Sequence, residues 1–353
     1  MSHKVLYSKL FKPPKFLEMP SVSLEILPKG ISFFAPKNTE KGLVPDIYGF
    51  IPLPEGTMSH GEIIKREPIL KALIDIRKKT RVSFIRFSIP EEKTYFFKTR
   101  LPKLAPKEIR DILDFKIEEN VPLSAKEAVF DYDIIPTRQA DGLDVVVSVA
   151  PLKIIEEFQE IFEAVKLTPV FFSPESNNVA KSVIKDNNEQ VIVVANIRES
   201  NIILSLVVYG VVCQTSSINF GSSTFTDLLA KYFKVSTEEA LKIKKEKLYS
   251  DNPDNMEIFS YLINTISAIK DELYKFVSYS NEREDVVGQV DRIILCGRDA
   301  MIVGFEKYLT SNLNMPVSVA NIWVNNFDLA TYVPEMSKLD SLDQAVLNGL
   351  SLF

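Results

Sequence analysis

The chain has 353 residues, of which 46% are hydrophobic and 25% charged, a balance that builds one large core or two ordinary ones. Its net charge is −5 with acids and bases interspersed, so it offers no broad positive field to nucleic-acid phosphates, and nucleic acid is not an expected partner. The histidines His3 and His60 and the cysteines Cys213 and Cys296 stand outside any triad or metal-ligand spacing, which excludes a hydrolase triad and a zinc site and fits a reducing compartment.

The first twenty residues carry Lys4, Lys9, Lys12 and Lys15 but neither a continuous apolar core nor a small-residue cleavage site, so they are not read as a signal peptide. Val5, Leu6, Leu10, Phe11, Phe16 and Leu17 lie among those lysines. Two readings stay open: a tail packed across its own domain, since Pro13 and Pro14 interrupt any amphipathic helix, or a segment resting on an anionic membrane or a partner.

Two strands follow, Val22 to Ile26 and Ile31 to Ala35, joined by the turn Leu27-Pro28-Lys29-Gly30. A differently built module begins with strands Val82 to Ile89 and Tyr95 to Leu101. Its helix, Pro106 to Asn120, repeats Ile109, Ile112, Leu113 and Ile117 at three and four residues, and Pro106 and Pro122 punctuate its ends. Strands Val129 to Ile135 and Leu143 to Val149 flank the polar loop 136–142, and a second amphipathic helix carries Ile154, Phe158, Ile161, Phe162 and Val165. The order ββαββα describes an α+β insert.

The later half opens with strands Val191 to Ile197 and Ile202 to Val208 around the turn Arg198-Glu199-Ser200, and a third strand reaches Ile218. Both halves thus begin with strand, polar turn and strand. The stretch Ile202 to Cys213 is shorter than the roughly 20 residues of a bilayer span, so no transmembrane helix is expected. A helix bearing Phe225, Leu228, Leu229 and Tyr232 comes next, then a shorter one from Glu238 to Leu248. The long helix Met256 to Tyr279 repeats Ile258, Leu262, Ile266, Ile269, Leu273 and Phe276 as a core-facing stripe. Glu282, Glu284 and Asp285 beside Arg283 read as a solvated loop. Strand Arg292 to Cys296, helix Val303 to Asn312 and strand Val317 to Ala320 complete a layered α/β pattern. Neither GxxxxGK[ST] nor GxGxxG occurs, so phosphate chemistry would need another architecture.

Three stretches carry a family resemblance: SIPEEKTYFFKTRLPKLAPKEIRDILDFKIEENVPL (88–123), FFSPESNNVAKSVI (171–184) and VDRIILCGRDAMIVGFEKYL (290–309). FKPPKFLEMPSVSLEIL (11–27), YGFIPLPEGTMSHGEI (48–63), STEEALKIKK (236–245) and AVLNGLSLF (345–353) add to the ordered series. On these the chain resembles the PilM family of type IV pilus assembly proteins, and beyond it the related cell-division protein FtsA, whose C-terminal amphipathic helix has no counterpart after Phe353. The resemblance implies an actin-like, ribonuclease-H-like two-lobed ATPase fold. Its expected parts are a basic extension 1–20, a first lobe from 21–80 and 171–190, the insert 81–170, a second lobe 191–335 and a return to the first lobe at 336–353.

Actin-type ATPases hold phosphates and metal with two strand-turn-strand elements, and the resemblance implies Asp-x-Gly at each. Here the first reads Glu25-Ile26-Leu27-Pro28 and the second Asn196-Ile197-Arg198. Glycine lets backbone N–H groups approach phosphate closely, which leucine and arginine obstruct, so the site reads as degenerate. Arg198 has a second reading, as a guanidinium neutralising phosphate without a metal. On the adenosine side the resemblance implies Gly221, Lys244, Gly297 and Gly304, while Arg298 replaces a family glycine. The nucleotide to consider is ATP or ADP with Mg²⁺, none being firmly required.

The function implied is a non-enzymatic scaffold, cytoplasmic and peripheral at the inner face of the cytoplasmic membrane, within the pilus inner-membrane assembly complex. It would bind the cytoplasmic N-terminus of a PilN-like membrane protein, in a groove between the first lobe and the insert (residues 80–170), which the run Tyr95-Phe96-Phe97 could help line. Two alternatives are a slow ATPase acting as a nucleotide switch, with Glu25 as its phosphate-turn carboxylate, and an FtsA-like filament former.

Overall fold

A computed structural model describes residues 20–135, 142–250, 255–283 and 288–353. The basic extension up to residue 19, His3 within it, the loop 136–141, and Glu284 and Asp285 lie outside the described residues.

The chain opens with β1 (Ser21–Leu27), β2 (Gly30–Thr39) and β3 (Gly42–Pro52), then a small hairpin of β4 (Met58–Ser59) and β5 (Glu62–Ile63), and helix α1 (Arg66–Thr80). The pattern read above does not signal β3 or α1. Alternate residues of β3 are exposed, and α1 buries Ile69, Ala72, Leu73 and Ile76 at helical spacing, with Leu70 half-buried and Ile74 exposed beside that stripe. β6 (Phe84–Ile89), β7 (Tyr95–Leu101), α2 (Pro106–Asn120), β8 (Ala128–Ile135), β9 (Leu143–Pro151) and α3 (Leu152–Ala164) realise the order ββαββα along the chain.

Hydrogen bonding and packing divide that series. β6 runs parallel to β1 and, with β10 (Thr168–Pro174), completes a five-stranded sheet ordered β10-β6-β1-β2-β3. Helix α3 lays Ile154, Phe158, Ile161 and Phe162 into the core that Val22, Leu24, Phe33 and Phe87 form with α1. The insert's own sheet is β7-β9-β8, one face covered by Ile109, Leu113 and Ile117 of α2. Its other face turns Ile135 and Val146 into the core of the second lobe and buries the Lys98–Asp144 ion pair at 3.4 Å. Period-2 and period-3.6 patterns cannot tell which sheet a strand joins, and for that reason the outer two members of the series fall to the first lobe.

After α4 (Glu175–Val183), the second lobe is a sheet ordered β13-β12-β11-β14-β15. Its strands are β11 (Val191–Ile197), β12 (Ile202–Val208), β13 (Val211–Ile218), β14 (Arg292–Cys296) and β15 (Val317–Val319). Helices α5 (Ser222–Phe233), α6 (Thr237–Ile243), α7 (Asn255–Glu282) and α8 (Phe305–Leu313) come from this half, with a π turn at Lys244–Leu248 ending α6. The stripe of α7 is core, as its spacing predicts. Among the described residues no helix is long and apolar enough to cross a membrane.

The lobes meet through α4, α9 (Lys338–Leu342) and α10 (Ala345–Ser351). Val179, Val183, Val346 and Leu347 pack between Phe34 of the first sheet and Ile192, Val194 and Ile294 of the second. Helices α4 and α10 cross so closely that a Cβ at Gly349 would stand 1.7 Å from the carbonyl oxygen of Asn178, so only glycine fits there. Asn348 locks the crossing by donating to the Ile322 carbonyl at 2.6 Å and to Ser182 Oγ at 3.0 Å.

Candidate functional site

The two strand-turn-strand elements face each other across the lobes. On the first, Glu25 of β1 is buried; on the second, Asn196 is the last residue but one of β11, and Arg198 opens the turn, its own N–H donating to the Asn201 carbonyl at 2.9 Å. The structure brings Glu25, Asn196 and Arg198 to one place, and it adds three acids that the pattern did not single out.

Glu175, at the first position of α4, is 2% exposed. Its Oε1 accepts from Asn196 Nδ2 at 3.1 Å and pairs with Arg198 Nε at 3.1 Å. Glu92 pairs with Arg198 Nη1 at 3.3 Å. Glu91 accepts from the Ser176 N–H at 3.1 Å through Oε2, while its buried Oε1 has no hydrogen-bond partner among the described residues. Lys29 of the first turn reaches Glu199 of the second at 2.6 Å, an exposed link of small energetic weight.

Electrostatics follow from burial. The Glu25 carboxyl is pushed up to about 8, first by desolvation and then by Glu175, with Arg198 opposing. Desolvation and the Glu175 charge raise Glu91 to about 7, and desolvation raises Glu175 itself. Arg198 is held firmly protonated, because the pull of Glu175, Glu25 and Glu92 outweighs the desolvation that lowers it. The guanidinium is therefore the common counter-ion of a carboxyl nest, part of which stays neutral near pH 7.

The adenosine-side candidates lie together in the second lobe. Lys244, opening the π turn, is buried, and its Nζ donates to Asp299 Oδ2 at 2.7 Å and to the Ser222 carbonyl and hydroxyl at 2.8 Å each. Asp299 also accepts from the Tyr249 hydroxyl. Gly221 precedes α5, and its N–H donates to Thr224 Oγ1 at 3.2 Å. Gly304 precedes α8 in the left-handed region. Gly297, at φ +89°, follows β14 where a Cβ would meet the Ile197 carbonyl oxygen at 2.2 Å, so it secures the close approach of this loop to the second phosphate turn. Arg298 pairs with Asp340 at 2.9 Å and donates through Nε to Asp343 at 2.9 Å. Cys296 is buried with its thiol pushed up to about 12 by desolvation, and Cys213 is buried three strands away on β13, so both are packing residues.

The family model for "Type IV pilus assembly protein PilM" matches residues 24–352. The chain belongs to the PilM family. Its fold is correspondingly similar to a chain of a solved PilM–PilN type IV pilus biogenesis complex, with TM-score 0.75 and 16% identity over 94% of this chain and 98% of that one. It is also similar to MreB 5 of Spiroplasma citri bound to AMPPNP, with TM-score 0.57 and 14% identity over 97% and 96% of the two chains. The ethanolamine utilization protein EutJ from Carboxydothermus hydrogenoformans gives TM-score 0.56 and 13% identity over 97% and 91%. These likenesses establish the actin-like ATPase fold that the resemblance implied.

In this PilM-family chain the phosphate position does not fit MgATP held in the usual way. Arg198, Arg298 and Lys244, the cations that could meet phosphate, each already bond carboxylates of the same chain. A triphosphate would displace Arg198 from Glu175 and stand against buried Glu25 and Glu91. No group of three or more His, Cys, Asp or Glu residues among the described residues is arranged to hold a metal ion.

Proposed function

We propose that this PilM-family protein is a non-enzymatic assembly scaffold whose lobes are tied by its own ion pairs rather than by a nucleotide. The observation that carries the reading is Arg198, set by the second lobe between Glu175 and Glu92 of the first-lobe side, where phosphate would otherwise bridge the lobes. Its ligand is the short N-terminal segment of a PilN-like membrane protein, taken in the groove between the first lobe and the insert. That partner would hold the chain peripherally at the inner face of the cytoplasmic membrane. The support is membership of the PilM family and likeness to a chain of a PilM–PilN complex.

The competing reading, a nucleotide switch, is carried by the fold likeness to MreB 5 bound to AMPPNP. Titration calorimetry separates them. Full-length protein is titrated with the N-terminal peptide of the PilN-like protein encoded beside it, and separately with ATP and ADP with and without Mg²⁺. Micromolar peptide affinity, about −8 kcal/mol, with no nucleotide heat and no shift in melting temperature is the expected result. Absence of peptide binding sinks the scaffold reading, and nucleotide-dependent stabilisation abolished by Glu25→Ala replaces it with the switch.

A further inference from the structure

Strand β8 is an edge of the insert's sheet, next to β9 alone among the described residues. An open edge offers unpaired backbone donors and acceptors to any extended chain of suitable side-chain chemistry. On one face of β8, Asp131 and Asp133 are exposed two residues apart, and no lysine or arginine among the described residues pairs with either. The Asp133 carboxyl is raised first by desolvation and then by the charge of Asp131. The apolar residues Val129 and Ile134 are 39% and 44% exposed on the same strand.

Helix α2, on the opposite face of the insert's sheet, repeats this chemistry. Phe115 of α2 is 78% exposed, and Asp111, Asp114 and Glu118 surround it at helical spacing. From residue 108 to 133 the chain carries eight carboxylates against three cations, and of those three Arg110 stacks over Phe130 while Lys116 pairs with Glu119 at 2.7 Å. The surface is thus acidic with exposed apolar side chains on an open edge, which repels anionic lipid and nucleic acid and selects a cationic protein segment.

We propose that β8 is a docking edge for an extended segment of a partner protein in which lysine or arginine alternates with apolar residues. The segment adds as a further strand beside β8, sets its cations against Asp131 and Asp133 on one face, and lays its apolar residues beside Ile134 on the other. This goes beyond the capture of a PilN-like terminus and does not depend on it, because charge pattern and strand alternation define the ligand here.

The test uses full-length protein and three labelled twelve-residue peptides, followed by fluorescence anisotropy. One alternates lysine with leucine and valine, one alternates glutamate with the same apolar residues, and one has the lysine peptide's composition with its lysines clustered. The alternating lysine peptide should bind at least about tenfold tighter than either other peptide. Asp131→Asn with Asp133→Asn should weaken it by about tenfold at unchanged melting temperature, and N-methylation of alternate peptide amides should abolish binding. Equal binding of the three peptides, or no loss in the double variant, overturns the proposal. So does sedimentation showing that the edge is instead filled by a second copy of the chain.

Discussion

At the scale of single residues, the candidate site turns on one guanidinium. Replacing Arg198 with methionine leaves Glu175 buried beside Glu25 and Glu91 without their counter-ion, and breaking a buried pair from one side costs about 3–5 kcal/mol. Urea denaturation at pH 8 should report that loss, and Arg198→Met with Glu175→Gln should recover at least half of it; additive losses would mean that the two side chains do not act as a pair. The pH dependence has a definite sign. Glu25 and Glu91 bind protons more tightly in the folded chain than their ordinary value of 4.5 allows, so the stability they contribute is complete below pH 4.5 and is lost as pH rises through about 7 to 8. The melting temperature should therefore fall between pH 5 and pH 9, and Glu25→Gln should flatten the upper part of that fall; an unchanged profile would remove Glu25 from the nest. The strand-turn-strand pattern marked the two turns, because it is a local signal, and the family resemblance pointed within them to Glu25, Asn196 and Arg198, which the fold brings together. It could not single out Glu175, which reads as an ordinary first-turn helix acid after Pro174 and is buried only because the second lobe closes over it.

At the scale of elements, close approaches decide more than propensities. Gly297→Ala must both adopt a left-handed backbone and push against the Ile197 carbonyl, so it should cost more than the roughly 1–2 kcal/mol of a left-handed alanine alone. Gly210→Ala is the control: φ is +83° and nothing lies within 4 Å of the added carbon, so only the backbone term is expected. Equal costs in thermal melts would show that the β14 loop yields. Periodicity found the long helix α7 and the hairpin β11–β12 nearly to their ends, because long stripes and apolar strands bounded by polar turns are strong local patterns. It could not assign β6 and α3 to the first lobe, since sheet membership depends on partners far away along the chain. Nor could it see that Lys244 is buried against Asp299, because lysines nearby on the same stretch are exposed.

At the scale of the molecule, the two-lobed architecture was legible from the repeated strand-turn-strand opening of each half and from the ordered series of family stretches. The tie between lobes was not, because it is made by helices α4 and α10, far apart in sequence, crossing where Gly349 meets Asn178. That crossing has a consequence for synthesis. As the chain leaves the ribosome, β1, β2, β6 and β10 emerge early, but the face of their sheet that α10 covers stays bare until residues 345–351 arrive. The nascent first lobe must wait, apolar side chains such as Phe34 uncovered, through the whole production of the second. A fragment ending at residue 190 should accordingly aggregate or bind holdase chaperones when expressed alone, and co-expression of the remaining chain should restore solubility. A soluble, cooperatively melting fragment would show instead that the first lobe closes without its last helix, and that the chain's two ends fold on independent clocks.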